Sequence, residues 1–116
     1  MPRATSVQQI FDNMPKAFLP EQAQGLNATI QFELTGEGGG KWYTTVADGS
    51  LTTSPGTAAH PNLTLIAEAH DYLAIVNGDL DAMSAFMGGK VKVKGDINLA
   101  MKFQKMFRSP EGADAG

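Results

Sequence analysis

The sequence predicts an α+β fold in which a helix, a run of strands, two helices, a fifth strand and a last helix follow one another. Three observations predict it. Apolar residues recur at helical spacing near the N-terminus, the period drops to two between Ala28 and Glu68, and helical spacing returns after Asp71, interrupted by a short lysine-striped strand. At 116 residues the chain fits one domain, and a domain of that size buries roughly two thirds of its unfolded surface. The expected domain spans 1–108, with 109–116 as a flexible tail.

Ser6 and Gln9 form a capping-box pair, after which Val7, Ile10, Phe11 and Met14 share one face of a first helix. Pro15 and Pro20 limit its length, because proline lacks the amide proton a helix interior needs. From Ala28 onward, Ile30, Phe32 and Leu34 point one way while Thr29, Gln31, Glu33 and Thr35 point the other, which describes a strand with one wet face. The glycine-rich run from Gly36 to Gly40 turns the chain into a second strand, Lys41 to Asp48, where Trp42, Thr44 and Val46 alternate with Tyr43 and Thr45. Asp48-Gly49 is a strong two-residue hairpin signal. A third strand around Ser50 to Thr53 ends at Ser54-Pro55-Gly56, and a fourth, Asn62 to Glu68, sets Leu63, Leu65 and Ala67 on one face. Four strands joined by short turns imply an antiparallel meander.

Asp71 is placed to cap a helix carrying Tyr72, Leu73 and Val76, and Asp79 or Asp81 to cap another carrying Met83, Phe86 and Met87. Gly88-Gly89 stops that helix. Lys90 to Lys94 reads as the fifth strand with Val91 and Val93 inward, and Gly95-Asp96 leads into the last helix. There, at 100° per residue, Leu99, Ala100, Phe103, Met106 and Phe107 form a broad apolar arc opposite Asn98, Lys102 and Lys105. Ile97 and Met101 make a second, narrower ridge. Either one ridge packs on the sheet and the other faces a cavity or groove, or both are embedded.

Composition narrows the chemistry. Without cysteine there is no disulfide framework, thiolate zinc site or cysteine nucleophile. The N-terminus lacks the continuous apolar stretch of a signal peptide and nothing later is long enough to span a bilayer, so the expected location is cytoplasmic. The net charge of −3 is unevenly spread: Lys90 to Arg108 sums to +5 and the remainder to −8. That stretch is a solvated strand and helix face, or a surface through which Lys90, Lys92 and Lys94 approach anionic lipid head groups. Nucleic acid is not expected, since the nearby aromatics sit at core spacing instead of alternating with the cations.

Catalytic patterns fail in turn. His60 and His70 show no metal-pair spacing, Asp79 and Asp81 are explained by capping, and Ser84 has no nucleophile-elbow context. Gly36 to Lys41 misses the spacing of a phosphate-binding loop, and it joins two strands, so no helix N-terminus meets a phosphate. The triplets Asn27-Ala28-Thr29 and Asn62-Leu63-Thr64 are glycosylation sequons in form alone. No enzyme activity, cofactor or metal is expected. Five of the six methionines lie in predicted helices, as soft apolar lining would.

The run Ser84-Ala85-Phe86, Gly89-Lys90-Val91-Lys92-Val93, Gly95-Asp96-Ile97 and Leu99-Ala100-Met101-Lys102 closely resembles the sterol carrier protein 2 family of non-specific lipid-transfer domains. Upstream, Pro61-Asn62-Leu63-Thr64-Leu65 is similar to that family's strand before its paired helices, and Asp71-Tyr72-Leu73 with Asn77-Gly78 to the following helix and turn. The resemblance implies a five-stranded, mostly antiparallel sheet covered by about four to five helices, with an apolar tunnel between sheet and helices. It implies fatty acyl, sterol-like or other lipophilic ligands, and lipid-metabolising enzymes as partners. Two departures stand out. Family members often carry a glutamine where Gly88 follows Phe86-Met87, which removes an expected polar contact, and the C-terminus lacks a peroxisomal tripeptide, as in a stand-alone bacterial-type member.

On this reading the expected lining comprises Phe11 and Met14 from the first helix and Phe32, Leu34, Trp42 and Leu65 from the strands. Ile75, Met83, Phe86 and Met87 join it from the paired helices, and Met101 and Met106 from the last. An empty apolar cavity of about 300 Å³ would cost roughly 7 kcal/mol at ~24 cal/mol per Å³, close to a whole domain's stability. The expectation is therefore a tunnel partly collapsed around methionines or loaded with lipid. Burying about ten methylenes contributes ~8 kcal/mol before association costs, which caps simple acyl ligands near micromolar affinity. The alternative function is an accessory domain presenting a quinone or acyl-lipid intermediate to partner enzymes.

Overall fold

The computed structural model describes residues 4–106; Phe107, Arg108 and the expected tail lie outside the described residues. Helix α1 (Val7–Ala17) starts where the capping signal predicts. Ser6 Oγ accepts from the Gln9 amide at 3.3 Å, and Gln9 Oε1 accepts from the Thr5 amide at 2.8 Å, one residue ahead of the cap. Val7, Ile10, Phe11, Met14 and Ala17 form its buried face. Pro15 lies within the helix, so the expectation that it sets a limit is corrected. The amide proton it lacks would have gone to the Phe11 carbonyl. The Thr53 hydroxyl donates to that carbonyl instead, at 3.3 Å, and the helix continues to Ala17. Pro20 then opens a 3₁₀ turn, Pro20–Gln22.

Five strands form one sheet in the order β3-β2-β1-β4-β5. They are β1 (Ala28–Thr35), β2 (Gly40–Ala47), β3 (Ser50–Pro55), β4 (Leu63–Glu68) and β5 (Val91–Gly95). β1–β2, β2–β3 and β4–β5 are antiparallel, as expected, but β1–β4 is parallel. The four-strand meander is thus corrected: β1 to β3 make a meander, and β4 crosses to the far side of β1. Register gives the reason. Pro55 ends β3 level with Trp42 and Phe32, whereas Leu63 begins β4 level with Ile30.

Residues 56–62 therefore cross the sheet's outer face, and Gln31 receives them there. Its Nε2 donates to the carbonyls of Trp42 and Gly56, both at 3.0 Å, and its Oε1 accepts from the Ala58 amide at 2.7 Å. Gln31 is 1% exposed, so the wet face expected for β1 is dry at this position. The crossing ends at Asn62, whose amide donates to the Thr29 carbonyl and whose Oδ1 accepts from the Thr29 amide, both at 2.8 Å. One side chain thereby starts the parallel pairing. The β2–β3 hairpin turns at Asp48 and Gly49, with φ of 54° and 76°, the left-handed pair the dipeptide signals. Gly95, at φ 104°, lets β5 approach β4 closely; a Cβ there would lie 2.5 Å from the Asn62 carbonyl oxygen.

The remaining helices are α2 (Ala69–Val76), α3 (Ala82–Met87) and α4 (Ile97–Gln104). β4 runs straight into α2, whose cap position is Glu68 without a side-chain bond. Asp71 thus sits in the first turn, where it favours the helix dipole instead of capping, a correction of the expected cap. Asp81 caps α3 by accepting from the Ser84 amide at 2.9 Å, and Asp96 caps α4 by accepting from Asn98 and Leu99 at 3.0 and 3.3 Å. α2 and α3 end alike, with Gly78 and Gly89 left-handed. The Asp79 amide donates to Ala74 and the Lys90 amide to Ala85, both at 2.8 Å, the six-to-one bond of a Schellman stop.

Helices α1, α2 and α4 cover the inner sheet face around Phe32. Its ring meets Phe11 at 5.1 Å, Tyr72 at 5.6 Å and Phe103 at 5.7 Å between centroids. Two long-range ties close the layer. Asn77 accepts from the Ala4 amide and donates to its carbonyl, both at 2.8 Å, and the Leu19 amide donates to the Met106 carbonyl at 2.6 Å. The architecture is an open, mixed five-stranded sheet with four helices, an α+β fold.

Candidate functional site

The twelve candidate lining residues fall into three sets. Phe11, Met14, Phe32, Leu34 and Met106 are packed core, at 0 to 5% exposure. Phe11 stacks on Trp42 with centroids 4.7 Å apart and planes 7° apart, and the Thr44 hydroxyl donates to Met14 Sδ at 3.3 Å. Trp42, Leu65 and Ile75 are half-buried. Met83, Phe86, Met87 and Met101 are exposed, at 45, 38, 79 and 46%.

The exposed set has a local cause. In α3, Met83, Phe86 and Met87 follow at i, i+3 and i+4, so they share one face, while Ala85 is the buried residue of the helix. A six-residue helix anchored by alanine turns its large side chains outward. In α4, Leu99 and Phe103 pack on the core, and the second ridge, Ile97 at 51% and Met101 at 46%, stays outside. Both helices pack on β5. Along β5, Val91 and Val93 pair with Ala67 and Leu65 and pack half-buried against the core, whereas Lys92 and Lys94 are exposed.

Sequence reasoning paired Ile97 with Met101 as a ridge but placed only Met101 among the lining residues, although helical spacing was the signal for both. It also passed over Val91, Val93 and Ala100, which pack half-buried against the core. Gln31 left no pattern signal, because a polar residue on the outer face of a strand reads as solvated.

Positive charge lies in the same stretch of chain. Lys90, Lys92, Lys94, Lys102 and Lys105 are all exposed. Asp96, the acidic residue within the stretch, has its carboxylate engaged in capping α4. At the start of α3 the Ser84 amide donates to the Asp81 carboxylate and holds its pKa below the usual value. In the core, burial pushes the Tyr72 phenol well above its ordinary value, so it stays neutral.

A concavity of about 470 Å³ opens between the start of α1, α2 and the β1–β2 loop, lined by residues including Ser6, Glu37, His70, Leu73 and Asn77. None of the twelve candidates borders it. Among the described residues no group of three or more His, Cys, Asp or Glu side chains could hold a metal ion, and no helix is long and apolar enough to cross a membrane. The arrangement offers apolar contact and positive charge.

Known proteins share the fold. The chain is 30% identical over 112 residues to hydroxysteroid dehydrogenase-like protein 2 of Rattus norvegicus, covering 91% of this chain and 20% of that protein. It therefore spans about a fifth of the length of that curated relative. Its fold is similar to the stereoselective inverting sec-alkylsulfatase Pisa1 from Pseudomonas sp. (TM-score 0.80, 22% identity, 92% of this chain and 17% of that one). It is also similar to the palmitated sterol carrier protein 2-like 2 from Aedes aegypti (TM-score 0.70, 22% identity, 90% and 94%). Matched by the family model from residue 7 to 108, this chain belongs to the SCP-2 sterol transfer family.

Proposed function

We propose that this domain is a non-catalytic lipid carrier, holding fatty acyl, sterol-like or other lipophilic molecules in an apolar tunnel between the sheet and its helices. The observation that carries the reading is the apolar surface of α3 and α4, with Ile97 and Met87 at 51 and 79% exposure. Side chains of this size exposed together mark a binding surface. Met83, Phe86, Met87, Ile97 and Met101 form the entrance; half-buried Leu65, Val91 and Val93 form the floor beyond it. Phe11, Met14, Phe32, Leu34, Trp42, Ile75 and Met106 make the wall behind, where unbranched methionine side chains and a stacked aromatic pair can shift to admit a chain. With Gly88 at the end of α3, the ligand is held by its apolar part. The likeness to a palmitated protein of the same fold supports an acyl ligand. The carrier works in the cytoplasm, where it contacts anionic membrane surfaces through Lys90, Lys92 and Lys94.

The test is lipid extraction and native mass spectrometry of gently purified protein, with titration of a fluorescent fatty acid. Bound lipid or saturable uptake near micromolar is expected. Finding neither would refute the carrier reading.

A second reading has its own support. In the dehydrogenase-like and alkylsulfatase relatives the matching region is 20 and 17% of a longer protein. The domain then presents a lipophilic intermediate, a quinone or an acyl lipid, to a lipid-metabolising enzyme. A pull-down that recovers such an enzyme, and a gain in its turnover on adding this chain, would favour this role over free carriage.

A further inference from the structure

We propose that this chain forms a two-fold dimer in which β3 pairs with β3 of a second copy, joining the two five-stranded sheets into one continuous sheet. The inference does not depend on lipid carriage. β3 and β5 are the opposite edges of the sheet, so the α3 and α4 side chains of each copy stay at the far ends of the pair.

The open edge follows from the β2–β3 hairpin. Asp48-Gly49 is a two-residue turn, so the flanking pair, Ala47 and Ser50, exchanges hydrogen bonds, and bonded pairs recur at every second residue. The Gly56 amide donates to the Lys41 carbonyl at 2.8 Å in that same phase, which fixes it. Leu51 and Thr53 fall between the bonded pairs and turn their N–H and C=O groups away from β2. Among the described residues no partner takes those two amides. Such an edge recruits another strand unless something blocks it. β5 is blocked, since it carries Lys92 and Lys94 and has α3 and α4 packed on it. β3 reads Ser-Leu-Thr-Thr-Ser-Pro, uncharged throughout, with its proline at the very end.

Register and charge select a second copy as the occupant. With the strands antiparallel about a two-fold axis at Thr52, Leu51 of each copy lies opposite Thr53 of the other, and both pairs exchange N–H···O bonds in each direction. Pro55, which has no amide proton, falls opposite Gly49, outside the pairing. Leu51 is buried and the Thr53 hydroxyl bonds to Phe11 on α1, so exposed Thr52 lies on the other face of the strand. There the Thr52 side chains of the two copies stand side by side, a favourable cross-strand pair. Asp48 of each copy comes level with Gly56 of the other, one strand away from that copy's Lys41, and both charged residues are exposed. Opposite charges therefore meet at both ends of the pairing. β3 set against β5 of the next copy would leave an edge at each end and grow without closing.

One strand pair makes a small interface, so the dimer should be weak, with a dissociation constant of about 10–300 µM, readable by sedimentation equilibrium of the full chain up to about 0.5 mM. Thr52→Lys sets like charges opposite each other and should weaken association about tenfold or more at low ionic strength. Thr52→Glu should do the same, and mixing the two variants, each confirmed as folded by circular dichroism, should restore the dimer. The chain has no cysteine, so Thr52→Cys supplies its one thiol. Oxidation should cross-link that variant into dimers, whereas Ser50→Cys, opposite Ser54 in this register, should stay largely monomeric. A chain that is monomeric at about 0.5 mM overturns the proposal. So does a dimer that Thr52→Lys leaves intact, a mixture of the two charge variants that stays monomeric, equal cross-linking of the two cysteine variants, or growth past the dimer. A dimer that Met87→Glu dissolves also overturns it, because the contact then lies on α3.

Discussion

Tyr72 and Gln31 show what single buried polar groups contribute to this molecule. Gln31 holds the crossing chain through hydrogen bonds from both ends of its amide, which no acidic or apolar residue could supply together. Tyr72 packs on Phe32 at 9% exposure, and burial raises the pKa of its phenol. The sign follows from linkage. The unfolded phenol ionises near pH 10, while the folded one keeps its proton at higher pH. Stability from this group is present below about pH 10 and falls above it by about 1.4 kcal/mol per pH unit. Tyr72→Phe should remove that component, so urea unfolding between about pH 8 and 11 should show a shallower alkaline decline than wild type. Parallel declines would mean that the phenol reaches water. Neither role could be read from the chain. Tyr72 looked like an ordinary apolar-face residue and Gln31 like a solvated one, because burial by residues far along the chain decides both.

Element boundaries were the most legible part of the sequence where the deciding bonds are local. The Ser6 cap, the Asp81 and Asp96 caps, the Asp48-Gly49 turn and the Gly89 stop each involve residues within five positions of one another. Pro15 is the exception with a long-range cause: α1 runs past it because Thr53, on another element, takes up the stranded Phe11 carbonyl. Thr53→Val should therefore cost about 1–2 kcal/mol in wild type. In a Pro15→Ala background a helical amide replaces the hydroxyl, and the cost of Thr53→Val should shrink by about 1 kcal/mol, a coupling readable in a double-mutant cycle. Additive effects would show that the hydroxyl does not support the helix. Asp71 erred in the other direction: β4 delivers the chain into α2 without a linker, so the helix begins two residues ahead of the acid that resembled its cap.

For the molecule as a whole, a carrier that binds lipid in its folded state is stabilised by that lipid. Oleate, held free in solution at about a hundred times its dissociation constant, should add about 2.7 kcal/mol, and thermal unfolding should move up by several degrees. An unchanged midpoint would count against an internal apolar site. At this scale the α+β class, the faces of four of the five strands, most helix ends, the +5 segment and the family motif were all legible in the chain, since each depends on spacing within one stretch of it. Tertiary structure alone decided that β4 lies parallel to β1, that α1 passes through Pro15, and which apolar residues stay outside. The parallel pairing depends on Asn62 meeting Thr29 across 33 residues, and on a crossing held by Gln31. Among the apolar candidates, composition is the same for core and surface, so periodicity assigns a residue to a face but cannot say whether that face is covered. Met14 on α1 and Met106 in the turn just after α4 went into the core, and Met87 and Met101 to the surface, because α1 and the chain leaving α4 pack on the sheet side, while α3 and the outer ridge of α4 were left facing outward.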